Sequence, residues 1–512
     1  MNFSKFSEWL AGKGSSNKSE SKANKSKNGS KDAEYLTYDL FYQLAYMSTI
    51  AAAGIPRSQI FAFASQLSCT SARYFAEIHS LAKQMRYDYA VACRMVGESA
   101  EEEPAKSLLL RLASSLGSGE TEADFLAQEA KIQAQAFENE YERGVESVRK
   151  WTEGYAALIV SAALIVMVAA IAMLIYPVAT SFTVTLVGVT ICVAVLGAWA
   201  IHRIAPKEVR VHAPATKCPG YNRVTWLTRL LLPCALVCFL LILASGAGLG
   251  WGLIIVSLFL VPIGFAGILF EQQVKKKDGD IATFLRSLGN IASAVGITVS
   301  NALERVDMRS TSNLAGDVKR LRSRLDSRLK PEVCWQRFSL ETGSETIYRS
   351  VKMFHDATRL GGDPEEVGAR SSMLAMTLDF LRARRGQVSS SFTFLAFAMH
   401  AALIALLVFV VQVIIMFGDI VAGVYNEAVA EAQVRALEVF SFNFQNVYLL
   451  ETLTMPCILV LSVTTAFAVK AAEGSGFHKM LGYVGITLGL SGFGLVTVPI
   501  MADKIFSSIP AM

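Results

Sequence analysis

The sequence predicts an all-α polytopic membrane protein with about seven transmembrane helices and two cytoplasmic helical-bundle domains. Three observations support this fold class. The chain has 512 residues, of which 53% are apolar and only 18% are charged, against roughly 25% charged in an average soluble domain. Seven uncharged apolar stretches have about the twenty residues that a helix needs to cross a ~30 Å hydrocarbon core. The intervening segments show helical periodicity and no period-two alternation.

The seven apolar stretches, called spans 1 to 7 in chain order, alternate with segments that carry the charge. They comprise residues 155–176, 182–201, 230–249, 250–270, 392–416, 453–469 and 480–500. The Lys, Arg, Asp and Glu residues all lie outside these stretches. The chain therefore combines membrane helices with ordinary water-soluble segments.

The loops between spans differ in charge, which predicts their side of the membrane because Lys and Arg near short loops stay cytoplasmic. Loop 202–229 carries six basic residues and a single acid, Glu208. Loop 417–452 has only Arg435 against five acids, which are Asp419, Glu427, Glu431, Glu438 and Glu451. The first loop is predicted to be cytoplasmic and the second external. Basic residues at 149–150, 275–277 and 382–385 give the same orientation.

These assignments divide the chain into five regions. We expect a flexible Ser/Lys/Asn-rich tail at 1–34, a cytoplasmic helical domain at 35–150, two transmembrane hairpins at 151–270, a second cytoplasmic helical domain at 271–391, and three transmembrane helices at 392–512. The basic loop 202–229 joins the hairpins, and the acidic loop 417–452 lies among the last three helices. Polar, low-hydropathy composition is the reason for expecting the tail not to pack.

Paired glycines indicate an internal duplication of the two cytoplasmic domains. Gly54 and Gly296 each follow a helical run and precede Ile, as is typical of a helix C-terminus. Gly119 and Gly362 mark a second helix end in each domain, at nearly the same distance along the chain. We therefore expect both domains to contain the same series of helices.

Motifs for the commonest catalytic chemistries are missing from this sequence. It has no phosphate-binding P-loop, no His-Glu-x-x-His and no Gly-x-Ser-x-Gly, and its six histidines are scattered. We therefore predict no catalytic residues, no metal site and no cofactor.

The spans contain few polar groups, and these are expected to serve helix packing. His400 and Gln412 in span 5 are the strong ones, and we expect His400 to be packed or hydrogen-bonded at a helix interface. Gly485 and Gly489 in span 7 have the small-residue spacing that allows close approach of another helix. A transporter, in contrast, is expected to keep ionisable groups near mid-membrane.

The densest run of one charge in either cytoplasmic domain, called the basic segment, covers residues 319–330. It contains a single acid, Asp326, and six basic residues: Lys319, Arg320, Arg322, Arg324, Arg328 and Lys330. Helical spacing predicts a basic stripe of Arg320, Arg324 and Arg328 beside an apolar stripe of Val318, Leu321, Leu325 and Leu329. Three interpretations of the segment stay open. It is a solvated helix face, a dock for an acidic protein surface, or a contact for anionic lipid or nucleic acid. A net charge of only +5 and no interleaved aromatic residues argue against nucleic acid.

The order of parts resembles the assembly platform proteins of archaeal type IV pili and archaella, which carry two type II secretion system F domains in one chain. The resemblance extends from about residue 35 to about residue 501. It depends on the sequence of helical domain, two hairpins, helical domain and three spans, and on the paired segments Ala-Ala-Ala-Gly54-Ile and Ser-Ala-Val-Gly296-Ile.

The resemblance implies a function as the multi-pass platform, in the cytoplasmic membrane, of a pilus-like assembly machine. The platform would couple a cytoplasmic hexameric secretion ATPase to insertion of pilin or archaellin subunits, and a homodimer is expected. The basic segment is the best match to the family's ATPase contact. Membrane lipids are further partners. A polytopic transporter or channel and a seven-helix receptor stay open as alternatives; a domain of about 120 residues between spans 4 and 5 disfavours the receptor.

Overall fold

The structure is a computed structural model that describes residues 18–175, 180–208, 210–211, 218–245, 248–430 and 444–507. Side chains are described over the same ranges apart from 18–34, 169–175, 180, 183, 243, 418–430, 444–451 and 506–507. Helices account for nearly all of the described chain, and no β-strand is found in it. The predicted all-α fold class is confirmed.

The chain divides into two compact units, residues 1–137 and 138–512. The first contains α1 (Lys18–Ala51), α2 (Arg57–Ser65), α3 (Ala72–Gln84), α4 (Tyr89–Ser99), α5 (Glu103–Ser118) and the start of α6 (Glu122–Ile175). Helix α1 begins inside the segment predicted to be a flexible tail, and residues 1–17 lie outside the described part. The unit boundary falls within α6, before the boundary at residue 150 expected from the sequence.

The core of the first unit is built on α1. Phe41, Leu44 and Ile50 are almost fully buried, and every residue of this helix from 38 to 51 is buried, so its second half is enclosed on all sides. The Phe41 ring stacks on Phe137 of α6 at a centroid distance of 5.8 Å. Buried Gln43 donates its side-chain amide to the carbonyl oxygen of Ala64 at 2.9 Å, which satisfies a polar group inside the core. The helices are thus held around α1 mainly by apolar burial.

The second unit holds the spans and the second helical bundle. Its remaining helices are α7 (Thr180–Ile204), α8 (Pro219–Ser245), α9 (Leu249–Val295), α10 (Val299–Ala302), α11 (Ala315–Asp326), α12 (Pro331–Thr342), α13 (Glu345–Arg359), α14 (Pro364–Ala430), α15 (Phe444–Glu473) and α16 (Phe477–Ser507). Seven helices, α6 to α9 and α14 to α16, are long and apolar enough to cross a membrane. The predicted number of spans is confirmed.

Two uninterrupted helices connect the second bundle to the membrane. Helix α9 is 47 residues long and continues from span 4 into the bundle. Helix α14 is 67 residues long and continues from the bundle into span 5. The bundle is therefore joined to the spans by continuous backbone hydrogen bonding, without a flexible linker at either connection.

Helices α9 and α16 pack closely because glycines face each other. A Cβ atom built on Gly264 would lie 2.0 Å from the Cα of Gly482. Further along, a Cβ on Gly485 would lie 2.9 Å from Leu260, and one on Gly489 would lie 2.5 Å from the hydroxyl of Ser257. At both glycines the neighbouring helix lies too close for a side chain, and this contact brings spans 4 and 7 together.

The two bundles show the same order of helices, as the paired glycines predict. Gly54 and Gly296 both adopt positive φ, at +66° and +65°, and end α1 and α9. Four helices follow in each case before the helix that enters the membrane. Gly119 also has positive φ, but in the second bundle the left-handed residue is Gly361 and not Gly362. The duplication itself stays a prediction.

The interspan loops are shorter than predicted, because the helices extend beyond the apolar stretches. Helix α8 begins at Pro219, inside the basic loop 202–229. Helix α14 extends to Ala430 and α15 begins at Phe444, so much of 417–452 is helical. Glu431 and Glu438 lie outside the described residues, as do the side chains of Asp419, Glu427 and Glu451.

Candidate functional site

The basic segment occupies α11 and the turn that follows it. The helix ends at Asp326, and Arg328 has a positive φ of 56°. Lys330 precedes Pro331, and the residue before proline is disfavoured in helical conformation. The prediction that Arg328 extends a helical stripe with Arg320 and Arg324 is therefore wrong.

Apolar residues anchor only the first part of this segment. Val318 and Leu321 are buried in the bundle core. Leu329 is 51% exposed, and Val333 at the start of α12 is 52% exposed. The predicted apolar stripe thus ends with the helix, and its last member faces solvent.

The three arginines of α11 are all in ion pairs, some of them with acids far away in the sequence. Arg320 contacts both Asp317 and Glu341, the latter at 3.2 Å. Arg324 contacts the same Glu341 at 2.5 Å. Arg322 contacts Glu304 and lies 3.6 Å from Asp326. The expectation of little neutralising acid near these residues is therefore corrected, because Glu304 and Glu341 approach from other parts of the bundle.

Three cations of the basic segment are left without an ion pair among the described residues. They are Lys319, Arg328 and Lys330, and all three are exposed. We call them the open cations. Their charge is available to a partner, whereas the charge of Arg320, Arg322 and Arg324 is largely committed within the bundle.

A second group of charges, which the sequence analysis did not identify as a site, lies where the second bundle meets the membrane. This charge cluster consists of Glu208, Arg210, Asp278, Arg382 and Arg385. Glu208 and Arg210 follow α7, Asp278 belongs to α9, and the other two arginines lie one turn apart on α14. Four of the five, all but Arg210, have side chains at most 8% exposed.

Arg382 bridges three segments of the chain. Its Nε donates to Glu208 at 2.8 Å, and its Nη1 donates to Asp278 at 2.8 Å and to the hydroxyl of Thr346 at 2.9 Å. Ser344, the N-cap of α13, also donates its hydroxyl to Asp278. The bundle helices α9, α13 and α14 are thereby tied to the loop between spans 2 and 3.

Arg385 caps the C-terminal end of α15. Its guanidinium donates to the carbonyl oxygens of Ala471 and Ala472 at 3.0 Å each, and to that of Pro206 at 2.7 Å. The last carbonyl groups of a helix lack intrahelical partners and carry partial negative charge, so a cation stabilises them. A Cβ on Gly474, which has a positive φ of 70°, would lie 2.6 Å from this guanidinium. Glycine is therefore required at that position.

Electrostatics keeps Glu208 ionised although its side chain is only 3% exposed. Burial by itself raises the pKa of a carboxyl group, but the guanidinium groups of Arg382, Arg210 and Arg385 outweigh that effect and hold the pKa of Glu208 well below its usual range. The carboxylate in turn raises the pKa of Arg210, against the opposing effect of burial. Glu208 and Arg210 are therefore a charged pair at neutral pH, whereas burial raises the pKa of Asp278 to about 6.

A signal for this cluster was present in the sequence, although it was interpreted only as orientation. Glu208 is the single acid of a basic loop, and Arg382 and Arg385 directly precede span 5 at a spacing of three residues. On a helix that spacing puts both arginines on one face. Which acid they meet depends on segments far away in the chain.

His400 lies in a polar contact among the last three spans, as predicted. Its Nε2 is 3.0 Å from the hydroxyl of Ser491 in α16 and 3.3 Å from that of Ser462 in α15. The two serine hydroxyls are 2.8 Å apart. This group links α14, α15 and α16 within the membrane.

Comparisons with known proteins identify relatives over much of the chain. A protein named flagella accessory protein J from Methanocaldococcus jannaschii is 24% identical over 440 residues, which cover 82% of this chain and 76% of that protein. The chain is similar to this archaeal protein over most of its length. A protein of the same name from Methanococcus voltae is 25% identical over 306 residues, covering 56% of this chain and 53% of that relative. The resemblance to the archaellum platform family is confirmed.

No family model matches the chain. No solved structure matches it either.

Proposed function

We propose that this chain is the membrane platform of an archaellum-like or pilus-like assembly machine in the cytoplasmic membrane. The observation that carries the proposal is the similarity to flagella accessory protein J across 82% of the chain. The seven spans and the two helices that continue from the second bundle into the membrane support it. Such a platform must hold a cytoplasmic motor and move with it, without a nucleotide site of its own.

The proposed cytoplasmic partner is a hexameric secretion ATPase that docks through an acidic face on the basic segment. The open cations, with the exposed side chains of Leu329 and Val333 nearby in the sequence, supply charge and apolar area together. A single exposed ion pair contributes only about 0–1 kcal/mol. Several pairs that are desolvated together contribute more, and their attraction grows as salt is lowered.

The proposed membrane partners are pilin or archaellin subunits, lipids and a second copy of this chain. Trp151, Trp199 and Trp226 are 47%, 59% and 65% exposed and lie at the predicted cytoplasmic ends of spans 1 to 3. Tryptophan is enriched at this depth of the bilayer because its ring is amphipathic. Pilin insertion and dimer formation are proposed from the family resemblance.

A transporter or channel is the second candidate. Its expected feature is an ionisable group exposed to a pathway near mid-membrane. In the part of the spans with described side chains, His400 is instead 2% exposed and engaged by two serine hydroxyls. This contact favours helix packing over transport.

Charge reversal of the open cations tests the dock. The triple variant Lys319→Glu, Arg328→Glu, Lys330→Glu leaves the internal ion pairs of α11 intact, so the bundle should fold. We expect it to abolish co-purification with the cognate secretion ATPase at low salt and to stop filament assembly. The matched control reverses three exposed cations elsewhere in the same bundle, Arg286, Arg305 and Arg309. Unchanged ATPase binding by the first variant, or equal loss by both, would contradict the proposed dock.

A further inference from the structure

A chain of charged contacts leads from the basic segment to the cytoplasmic ends of the spans. Arg320 of the basic segment contacts Asp317. Asp317 is 4% exposed and accepts a second contact at 2.8 Å from Lys277 of α9. Asp317 therefore connects the basic segment to α9, the helix that continues into span 4.

The next residue on α9 belongs to the charge cluster. Asp278 follows Lys277 and is bound at 2.8 Å by Arg382 of α14. Arg382 binds Glu208 at 2.8 Å, and Glu208 binds Arg210 at 2.7 Å. The ion pairs Lys277–Asp317, Arg382–Asp278 and Arg382–Glu208 each join two different segments, whereas the remaining links lie within a single helix or loop.

The series of charged contacts ends on α15, the helix that contains span 6. Arg210 donates to the carbonyl oxygen of Glu473 at 3.0 Å, and Arg385 donates to those of Ala471 and Ala472. These carbonyl groups belong to the last turn of α15, just before the turn 474–476 that leads into span 7. The guanidinium groups fix the position of that turn relative to α14.

We propose that these contacts form a mechanical joint through which force on the basic segment reaches spans 6 and 7. In this proposal, Lys277 is the positioning residue between bundle and cluster, and Arg385 is the positioning residue between cluster and span. Buried ion pairs suit this role because their geometry is fixed: removing one partner leaves an uncompensated charge, so displacement of one segment is resisted by the next. The biological meaning of the joint rests on the proposed function, but its existence does not.

Lysine in place of Arg385 provides the sharpest perturbation. Arg385→Lys keeps the charge, but an ammonium group lacks the planar fork that reaches three carbonyl oxygens at once. The matched control is Arg384→Lys, since Arg384 is 59% exposed and its nearest recorded acid, Glu142, is 3.9 Å away. Lys277→Gln breaks the bundle side of the joint, with exposed Lys276→Gln as its control.

Hydrogen exchange of the purified full chain in lipid nanodiscs measures the effect at residues 471–480. Arg385→Lys should accelerate exchange there about tenfold, and Lys277→Gln about threefold, whereas each control should change it less than about twofold. The response to Lys277→Gln is decisive because this residue does not touch α15. In the double variant the two effects should not multiply, since the second change acts on a connection already broken.

The outcomes separate the joint from the dock. If Lys277→Gln alters exchange only within α9 and α11, or if Arg385→Lys behaves like Arg384→Lys, the joint is overturned. If Arg385→Lys does not insert, Arg382→Lys replaces it in the same cycle. No ATPase is needed for this measurement, so the joint and the dock are tested separately. If the dock proposal fails but exchange at 471–480 is accelerated, the joint is still supported. If the dock proposal holds but exchange at 471–480 is unchanged, only the joint is overturned.

Discussion

Single side chains decide the local stability of this protein where charge is buried. Glu208 is surrounded by Arg382, Arg210 and Arg385 and has a side chain only 3% exposed. The carboxylate and the guanidinium groups were all desolvated on folding, so their mutual attraction offsets a cost that each of them carries. Removing one charged side chain therefore destabilises the protein by more than the intact cluster stabilises it, because the remaining charges stay buried without a partner.

Glu208→Gln should lower the free energy of unfolding by about 3–5 kcal/mol, because the buried arginines lose their shared counter-ion. The measurement is the unfolding midpoint of the detergent-solubilised full chain. Glu142→Gln is the matched control, since Glu142 is 41% exposed and lies 3.9 Å from Arg384. Equal stability of the two variants would show that Glu208 does not hold the cluster together.

His355 should make the second bundle sensitive to mild acid. It stacks on Trp335 at a ring distance of 6.1 Å, and burial, with Lys352 adding to it and Asp356 opposing, lowers the pKa of His355 below its ordinary 6.5. The unfolded chain then binds the proton first, so stability falls as pH drops below about 6.5 and is fully present above about 7. His355→Gln should reduce the difference in unfolding midpoint between pH 5.5 and pH 7.5. An undiminished difference would assign the acid sensitivity to other groups.

At the scale of helices, the membrane part is organised by backbone proximity between α9 and α16. Gly264 and Gly482 meet with no room for a side chain. Contacts of this kind replace the hydrophobic effect as the source of helix association in lipid, where apolar side chains gain nothing by leaving the bilayer. The position of α16 also brings the turn 474–476, which precedes it, next to Arg385.

Gly264→Ala and Gly482→Ala should each separate α9 from α16, because backbone atoms rather than flexible side-chain ends occupy the space. Overpacking of this kind costs about 1–3 kcal/mol or more. Gly188→Ala in span 2 is the control, since a Cβ there meets nothing within 4 Å. Thermal unfolding of the full chain in nanodiscs should show a lower midpoint for the first two variants only. A similar midpoint for all three would refute the close crossing.

At the scale of the whole molecule, every cytoplasmic assignment depends on the membrane orientation. The charge cluster brings Pro206, Glu208 and Arg210 together with the end of α15 and with the parts of α9 and α14 that lie outside the spans, so these segments of the second unit share one side of the spans. The Lys and Arg distribution predicts that this side faces the cytoplasm. The acidic segment around Glu431 is predicted to lie on the opposite side.

Cysteine labelling from outside intact cells tests that orientation. In a variant without its native cysteines, a probe should react at Glu431→Cys and not at Ser323→Cys, because only the first is predicted to be external. Labelling of Ser323→Cys after membrane permeabilisation is the control for its accessibility. Reaction of Ser323→Cys in intact cells would invert the scheme and remove the basis for a cytoplasmic dock.

The sequence by itself determined the features that depend on composition and short-range spacing. Seven apolar stretches define seven spans because the bilayer sets one length for every crossing helix. Gly54 and Gly296 were identifiable as helix ends because the left-handed conformation strongly favours glycine. The close approach at Gly485 and Gly489 followed from their spacing on one helix face. The archaeal family resemblance came from the order of these parts.

Only the tertiary structure decided which charges are available to a partner protein and which are paired within the molecule. Glu341 neutralises Arg320 and Arg324 from α12, and Asp278 meets Arg382 from a helix more than a hundred residues earlier. Such pairing depends on which helices become neighbours, and charge counts along the chain contain no information on that. The same reason applies to Arg385, whose partners are backbone carbonyl groups that every sequence possesses; folding alone brought them within hydrogen-bonding distance.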